Sequence, residues 1–502
     1  MSSHRLVIKD AIRQLIGRVL SALAGFLVIK IMSPYLGPLR YGDYSTILKY
    51  FAIWSALADF GLYVIAIRTL GKIKESHPEK LGTQYGKFIG ARFINIVVVY
   101  TVALFIAYLL PAYTNNPYLI RGLPIGMIFS ATFMAAGIIQ LPLQLFWKMK
   151  QLSFGLIRAR ISQIIALIII VYRAYPQMTF DGSSMSKIAF LAIMGTVMIS
   201  AFTQFIYVFW QAHKLLPIKI QFSRTFMRDE IRSNRQYGLA YCLSSFHTLA
   251  VLILLSNYFP TAQGYTYTGI RALALALIEI FLIIPSALGN SLLHKIANST
   301  IEDKRKSFGN FLQIIRRIGC IIGFNLFIRS SDIITIVGGE SFIGLDRSNP
   351  GSNQILPFLG IVLALSFIKQ VYNYLFVATE KQNLLLWINL IGVIIGLIIG
   401  LWTIPRYGIL GGIITQGILE ISFVIGSIYT ANRQKITPIV PRKTITTITI
   451  VTIILCLLGY YYIYPNSHSI GEMVLYGIII NTIIIATSYS YLRKTARGLT
   501  TQ

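Results

Sequence analysis

The sequence predicts an all-α, multi-pass membrane protein of about fourteen transmembrane helices. Three observations predict it. Over 502 residues, 55% are hydrophobic and only 12% charged, with a mean hydropathy of +0.67; a soluble chain carries roughly twice that charge. Apolar windows long enough to cross a ~30 Å hydrocarbon core recur along most of the chain. The 45 Lys and Arg lie mainly in the short loops between those windows.

Taken in order, the windows are 13–33, 44–67, 88–110, 121–146, 156–175, 188–212, 237–258, 270–292, 309–329, 355–378, 384–404, 409–430, 444–464 and 470–492. The first carries Arg13, Arg18 and Lys30, which make it a poor lipid-facing helix; it should line protein or water. The second carries Lys49 and Asp59, about 15 Å apart along the axis and about 80° apart in direction, so they are not a self-contained pair. Pro142 and Pro285 interrupt the backbone ladder of the fourth and eighth windows. Arg92, Arg316 and Arg317 fall within about two turns of a helix end, where snorkelling to phosphates is expected. Lys369 lies deeper in the tenth window. Glu420, with Gln416 one turn away, marks the middle of the twelfth, and His247 the middle of the seventh; either can bind a coupling ion, and either can be a hydrogen-bonded core residue.

With a cytoplasmic N-terminus, about 30 of the 45 basic residues fall on or beside cytoplasmic segments and about 8 on the outer side. Both termini are therefore expected inside. The net charge of +28 reflects this asymmetry and contact with anionic lipid, not nucleic-acid binding. Cys242, Cys320 and Cys456 all fall in apolar windows, as packing residues do, and no removed leader peptide is expected.

The chain also resembles itself. "YGDYSTILK" opens the second window and "QGYTYTGIR" the eighth, each placing a glycine seven residues before a cation: Gly42 before Lys49 and Gly264 before Arg271. A carboxylate follows in each, Asp59 and Glu279. "LFWKMKQ" (Leu145 to Gln151) is echoed by "LFVATEKQ" (Leu375 to Gln382), allowing one insertion. The repeat divides the chain into an N-lobe (1–212), a basic cytoplasmic linker (213–236), a C-lobe (237–430) and a C-terminal portion (431–502) with two further helices and a cytoplasmic tail. Each intramembrane cation and carboxylate has two readings: interhelical salt bridging, or a cationic cavity for an anionic substrate with carboxylates tuning it. Both can hold together.

No GxxxxGK[ST] phosphate loop, HExxH or CxxC occurs, and outer-loop acids are scattered. That weakens an enzymatic reading such as a membrane glycosyltransferase or polymerase.

"YLGPLRYGDYS" leading to "ALADFGLYVIAIR", then "QGYTYTGIRALALALIEIFLIIPSAL", then "IPRYGILGGIITQGILE" is similar to the polysaccharide (Wzx-type, O-antigen) flippases of the multidrug/oligosaccharidyl-lipid/polysaccharide (MOP) exporter superfamily. The resemblance implies two six-helix lobes in a V, as in the multidrug (MATE) and lipid II flippase branches, with two appended helices. It implies a polyprenyl-diphosphate-linked oligosaccharide moved from the inner to the outer leaflet of a bacterial inner membrane. Arg18, Lys49 and Arg271 match the basic residues that line the cavity on helices 1, 2 and 8 in that superfamily, and Lys30 is a further cavity candidate. Asp59, Glu279, Glu420 and His247 are the candidate cavity carboxylates or ion-coupling groups. No cofactor is implied beyond a proton or sodium gradient; other polysaccharide-assembly membrane proteins are possible partners. A multidrug antiporter of the same superfamily is the alternative. One departure stands out: Lys49 and Arg271 lie toward the outer helix ends, suited to the diphosphate in one state only or to the sugar and exit.

Overall fold

The computed structural model describes residues 2–176, 185–230, 262–296, 300–344, 350–379 and 381–439, with scattered positions from 231 to 261. Every regular element among them is helical. The chain is an all-α membrane protein, and nine described helical runs are long and apolar enough to span a bilayer. Two of these are bent double-length runs. α1 (Ser2–Asp59) joins the first two predicted windows through Gly37, and a run from Gln382 to Arg433 joins the eleventh and twelfth through Gly408. Both glycines hold positive φ, 63° and 54°, a conformation that a side chain resists. Pro34 and Pro38 flank the first bend and Pro405 precedes the second, each removing a backbone donor from the ladder there. The thirteenth and fourteenth predicted helices and His247 lie outside the described residues.

The first half continues as α2 (Leu62–Ser76), α3 (Leu81–Leu109), α4 (Pro111–Thr114), α5 (Pro117–Ile139), α6 (Leu141–Leu145), α7 (Met149–Ile169) and α8 (Lys187–Leu215). The second contains α9 (Ala262–Phe281), α10 (Ile283–Ile296), α11 (Ile301–Ile328), α12 (Ser330–Gly338), α13 (Ser352–Ala378) and α14 (Gln382–Arg433). Within the first half α1 packs on α3, α5 and α7, and α8 closes on α5 and α7. Within the second, α13 sits between α11 and α14 and against α9. Side chains such as Phe105, Leu109, Ile398 and Ile425 point away from both bundles and are more than 60% exposed, as a lipid-facing surface requires.

Two predicted windows are interrupted. The second breaks at Phe60–Gly61, both at positive φ, and the eighth breaks at Leu282. The last residue of α1, Asp59, and the last of α9, Phe281, stand at the 222-residue offset that separates Lys49 from Arg271. The internal repeat thus carries its helix break with it. Pro142 and Pro285 lie just after breaks of this kind, near the starts of α6 and α10, where a missing N–H is harmless. The other repeat motif needs a corrected register. Lys148 precedes α7 and Lys381 precedes α14, and each donates its N–H to the carbonyl five residues back, Leu143 at 2.7 Å and Phe376 at 2.9 Å. By this geometry Lys148 is the counterpart of Lys381, at a constant offset of 233 residues with no insertion between the paired positions.

The halves meet at the membrane face opposite the basic loops 68–87 and 213–236. Here α1 crosses α9 with no side chain between them. A Cβ at Gly42 would collide with the Tyr265 carbonyl oxygen, and one at Gly269 with that of Pro38. Small residues at a helix crossing let backbones approach and gain dispersion contact within a membrane. Around the crossing, Ser33 donates to the Val337 carbonyl at 2.9 Å, Tyr41 packs edge-on against Phe342, and Tyr265 donates to the Ala112 carbonyl. Gly42→Val should destabilise this closed arrangement by about 1–3 kcal/mol, because backbone cannot step aside as a side chain does. A lowered Tm of the purified protein would register it; an unchanged Tm would show that the crossing is not tight.

Candidate functional site

Beneath the glycine crossing the intramembrane charges are sorted into pairs. Lys49 lies seven residues, roughly 10 Å of rise, below Gly42 on α1. It donates to Glu279 Oε1 on α9 at 2.5 Å, bridging the two halves of the chain. The side chains keep 26% and 43% exposure, so this bridge is not sealed within the packing of the two halves.

Asp59 and Arg92 form a different kind of contact. Arg92 on α3 donates to the Asp59 carboxylate and to the Ala58 carbonyl, with both side chains buried inside the first half. The snorkelling expected of Arg92 is overturned, because its guanidinium reaches a carboxylate on a neighbouring helix and not the headgroups. Arg317 is likewise buried, which overturns the same expectation there. Removing one partner of a buried pair strands the other, at a cost of about 3–5 kcal/mol. Asp59→Ala and Arg92→Ala should each lower stability by about that much, while Asp59→Asn with Arg92→Met together should restore part of it. Thermal unfolding in detergent measures this; additive effects in the double variant would contradict it.

In the second half, Lys369 on α13 donates to Glu420 Oε1 on α14 at 3.4 Å and stands 4.3 Å from the centroid of Phe423. One turn along α14, Gln416 accepts a hydrogen bond from Arg271 Nη2. Arg271 is the largest fully buried side chain of the described residues, just below the crossing. Its Nε and Nη1 have no hydrogen-bond partner among them.

This set comprises Lys49, Arg92, Arg271 and Lys369 against Asp59, Glu279 and Glu420. Three pairs neutralise themselves. Arg271, hydrogen-bonded to a neutral amide, is the member of the set left without a carboxylate in contact among the described residues. Leaving a buried donor unsatisfied costs about 1–3 kcal/mol, so Arg271 is held at a cost that its contact with Gln416 does not fully offset.

The remaining predicted residues are placed differently. Lys30 is exposed on the first arm of α1, on the face that carries Leu20, Leu23 and Leu27, and no described residue pairs with it. Arg18 falls on the same arm, its side chain outside the described part. Arg160, not singled out from the sequence, lies on α7 beside Gly25 of α1 and donates to Gln163 Oε1 at 3.0 Å. Its only signal was a polar neighbour three residues on, on the same helix face, in a helix that also carries Lys150, Gln151 and Arg158. Asp43 near the crossing is fully occupied, accepting from Arg40 at 2.8 Å and Asn116 at 2.7 Å.

The geometry defines a class: a two-halved helical membrane protein, closed at one face, with charged groups along the junction. Its fold is shared with solved transport proteins. A lipid II flippase MurJ in an inward closed conformation aligns over 97% of this chain and 99% of its own, with TM-score 0.70 and 15% identity. An inward-facing multidrug resistance MATE family transporter of the MOP superfamily aligns over 85% and 98%, with TM-score 0.60 and 12% identity. The Vibrio cholerae MATE transporter VcmN in its bent form covers 87% and 98%, with TM-score 0.57 and 13% identity. No curated protein sequence matches the chain. The model of the family described as polysaccharide biosynthesis protein matches residues 7–289, more than half of the chain, and the protein belongs to that family.

Proposed function

We propose that this protein is a flippase that carries a polyprenyl-diphosphate-linked oligosaccharide across a bacterial inner membrane, from the cytoplasmic to the outer leaflet, by alternating access. The observation that carries the proposal is Arg271: a buried guanidinium at the junction of two repeated halves, with two donors unused among the described residues. A diphosphate cannot enter hydrocarbon without replacements for its water shell, and a guanidinium fork matches phosphate oxygens. Membership of a polysaccharide biosynthesis family supports a glycan-bearing substrate. By the excess of Lys and Arg in the loops 68–87 and 213–236 we read their face as cytoplasmic, which makes the face closed at Gly42 and Gly269 the outer one.

Lys49 and Glu279 give the cycle its trigger. A half-exposed ion pair contributes only about 0.2–1 kcal/mol, so a dianionic headgroup arriving in the cleft can take Lys49 from Glu279. With that bridge exchanged, the outer crossing loses one of its ties and opens more readily. Arg271, two residues from Gly269, then becomes reachable beside the separating helices. Glu279 also limits the positive field, which keeps release possible. Energy comes from a proton or sodium gradient, with Glu420 and Lys369 as the group that senses it.

Reconstituted vesicles carrying a fluorescent polyprenyl-diphosphate oligosaccharide test the function. With the protein present, a membrane-impermeant reductant should reach the whole fluorescent pool. An inner-leaflet fraction that stays protected in vesicles with folded protein would refute it.

A further inference from the structure

The segment that joins the two halves carries a surface of its own. After α8 the chain runs extended from 217 to 223 and then turns helical over 224–230. The extended part lies in a groove on α3 made by glycines at four-residue spacing. Leu216 reaches Gly82, Gln221 donates its N–H to the Gly86 carbonyl at 3.1 Å, and Phe222 lies beside Gly90. A Cβ at Gly86 or Gly90 would strike the strap's own carbonyls, Lys219 and Gln221. From Gly82 to Phe93 the strap follows α3 for roughly 16 Å, from the basic end into the apolar window.

What the strap turns outward is apolar first and basic second. Ile220 and Phe222 are 51% and 63% exposed, and Phe222 stands beside Phe93, itself a half-exposed residue on a spanning helix. That places the pair at the level of acyl chains. The following helix buries Phe226 edge-on against Phe88 and sets Met227 and Glu230 beside Phe60, Leu62 and Ala91. Arg224, Arg228 and Arg232, at four-residue spacing on its other face, are exposed, as are Lys219 and Arg235, against one exposed acid, Asp229.

We propose that residues 216–230, together with Arg232, form an anionic-lipid-binding surface, in which Ile220 and Phe222 enter the acyl region and Arg224, Arg228 and Arg232 hold headgroup phosphates. An aromatic and aliphatic edge beside a basic helical stripe is the pattern of an interfacial element. Charge complementarity selects the anionic lipid, and the exposed apolar pair selects a bilayer over nucleic acid or an acidic protein. Because the strap is seated on α3, lipid bound there is held with the first half of the chain, whatever substrate the cleft carries.

The test uses the full chain with Ile220→Cys, its three native cysteines replaced by serine, and bimane on the introduced thiol; Phe222→Cys supplies a second position. Vesicles of phosphatidylcholine carry an equal small fraction of brominated phosphatidylglycerol or brominated phosphatidylcholine. Both lipids should quench, the phosphatidylglycerol about twofold more strongly or better. That excess should vanish in R224S/R228S/R232S and at high salt. Equal quenching by both lipids in the unsubstituted stripe would overturn the proposal. So would quenching by aqueous iodide alone, which would leave the strap to a soluble partner.

Discussion

Arg271→Met should abolish translocation while leaving the fold intact. Methionine keeps most of the buried volume and removes a guanidinium whose Nε and Nη1 have no partner among the described residues, so Tm should hold or rise. Transport should fall by about a hundredfold or more, as expected when a desolvated charge contact to an anion is lost. Arg271→Lys keeps the charge but loses the planar fork, and should retain roughly a tenth of the activity. The split between the two readouts is what separates a substrate cation from a structural one. Loss of stability with unchanged transport would assign Arg271 to packing.

The second large effect belongs to the bridge between halves. Lys49→Glu faces Glu279 with a like charge, and Glu279→Lys does the same with two cations, in a place where the pair now lies at 2.5 Å. Losing the bridge and adding a repulsion of similar size costs about 1–2 kcal/mol at this exposure, and each reversal should slow translocation about tenfold. Exchanging both residues restores the bridge and should recover most of the rate. A double variant as slow as the worse single one would show that Lys49 acts on the substrate alone and not through Glu279.

The recurrence of cation and carboxylate in the second and eighth windows pointed to opposed halves, and Lys49 does meet Glu279. That much was legible because a seven-residue spacing from glycine to cation survives as a pattern in the sequence. The partners of Asp59 and Glu420 were not. Arg92 and Lys369 are 33 and 51 residues away from them, and their meeting depends on how each helix is rotated about its axis. Hydropathy is nearly blind to that rotation when a helix is apolar all round. Arg92 was misread for the same reason: its distance from a helix end suggested headgroups, while its direction is inward. The windows that fall on described residues were plain, and so was the register of the α1–α9 repeat. The joins at Gly37 and Gly408, which fuse neighbouring spans into bent runs, rest on single positive-φ residues that leave no periodic signal. The glycines at 42 and 269 became meaningful only once two distant segments were seen to cross.

Under the proposed transport cycle, the halves must part at the Gly42–Gly269 crossing for substrate to leave. Ser33 and Val337 face each other across that junction, outside the charged set. The protein with Ser33→Cys and Val337→Cys, bridged through two disulfides by a short bis-methanethiosulfonate linker, should lose translocation of the fluorescent lipid-linked oligosaccharide and regain it when the disulfides are reduced. Undiminished translocation with the bridge in place would show that the halves need not part there.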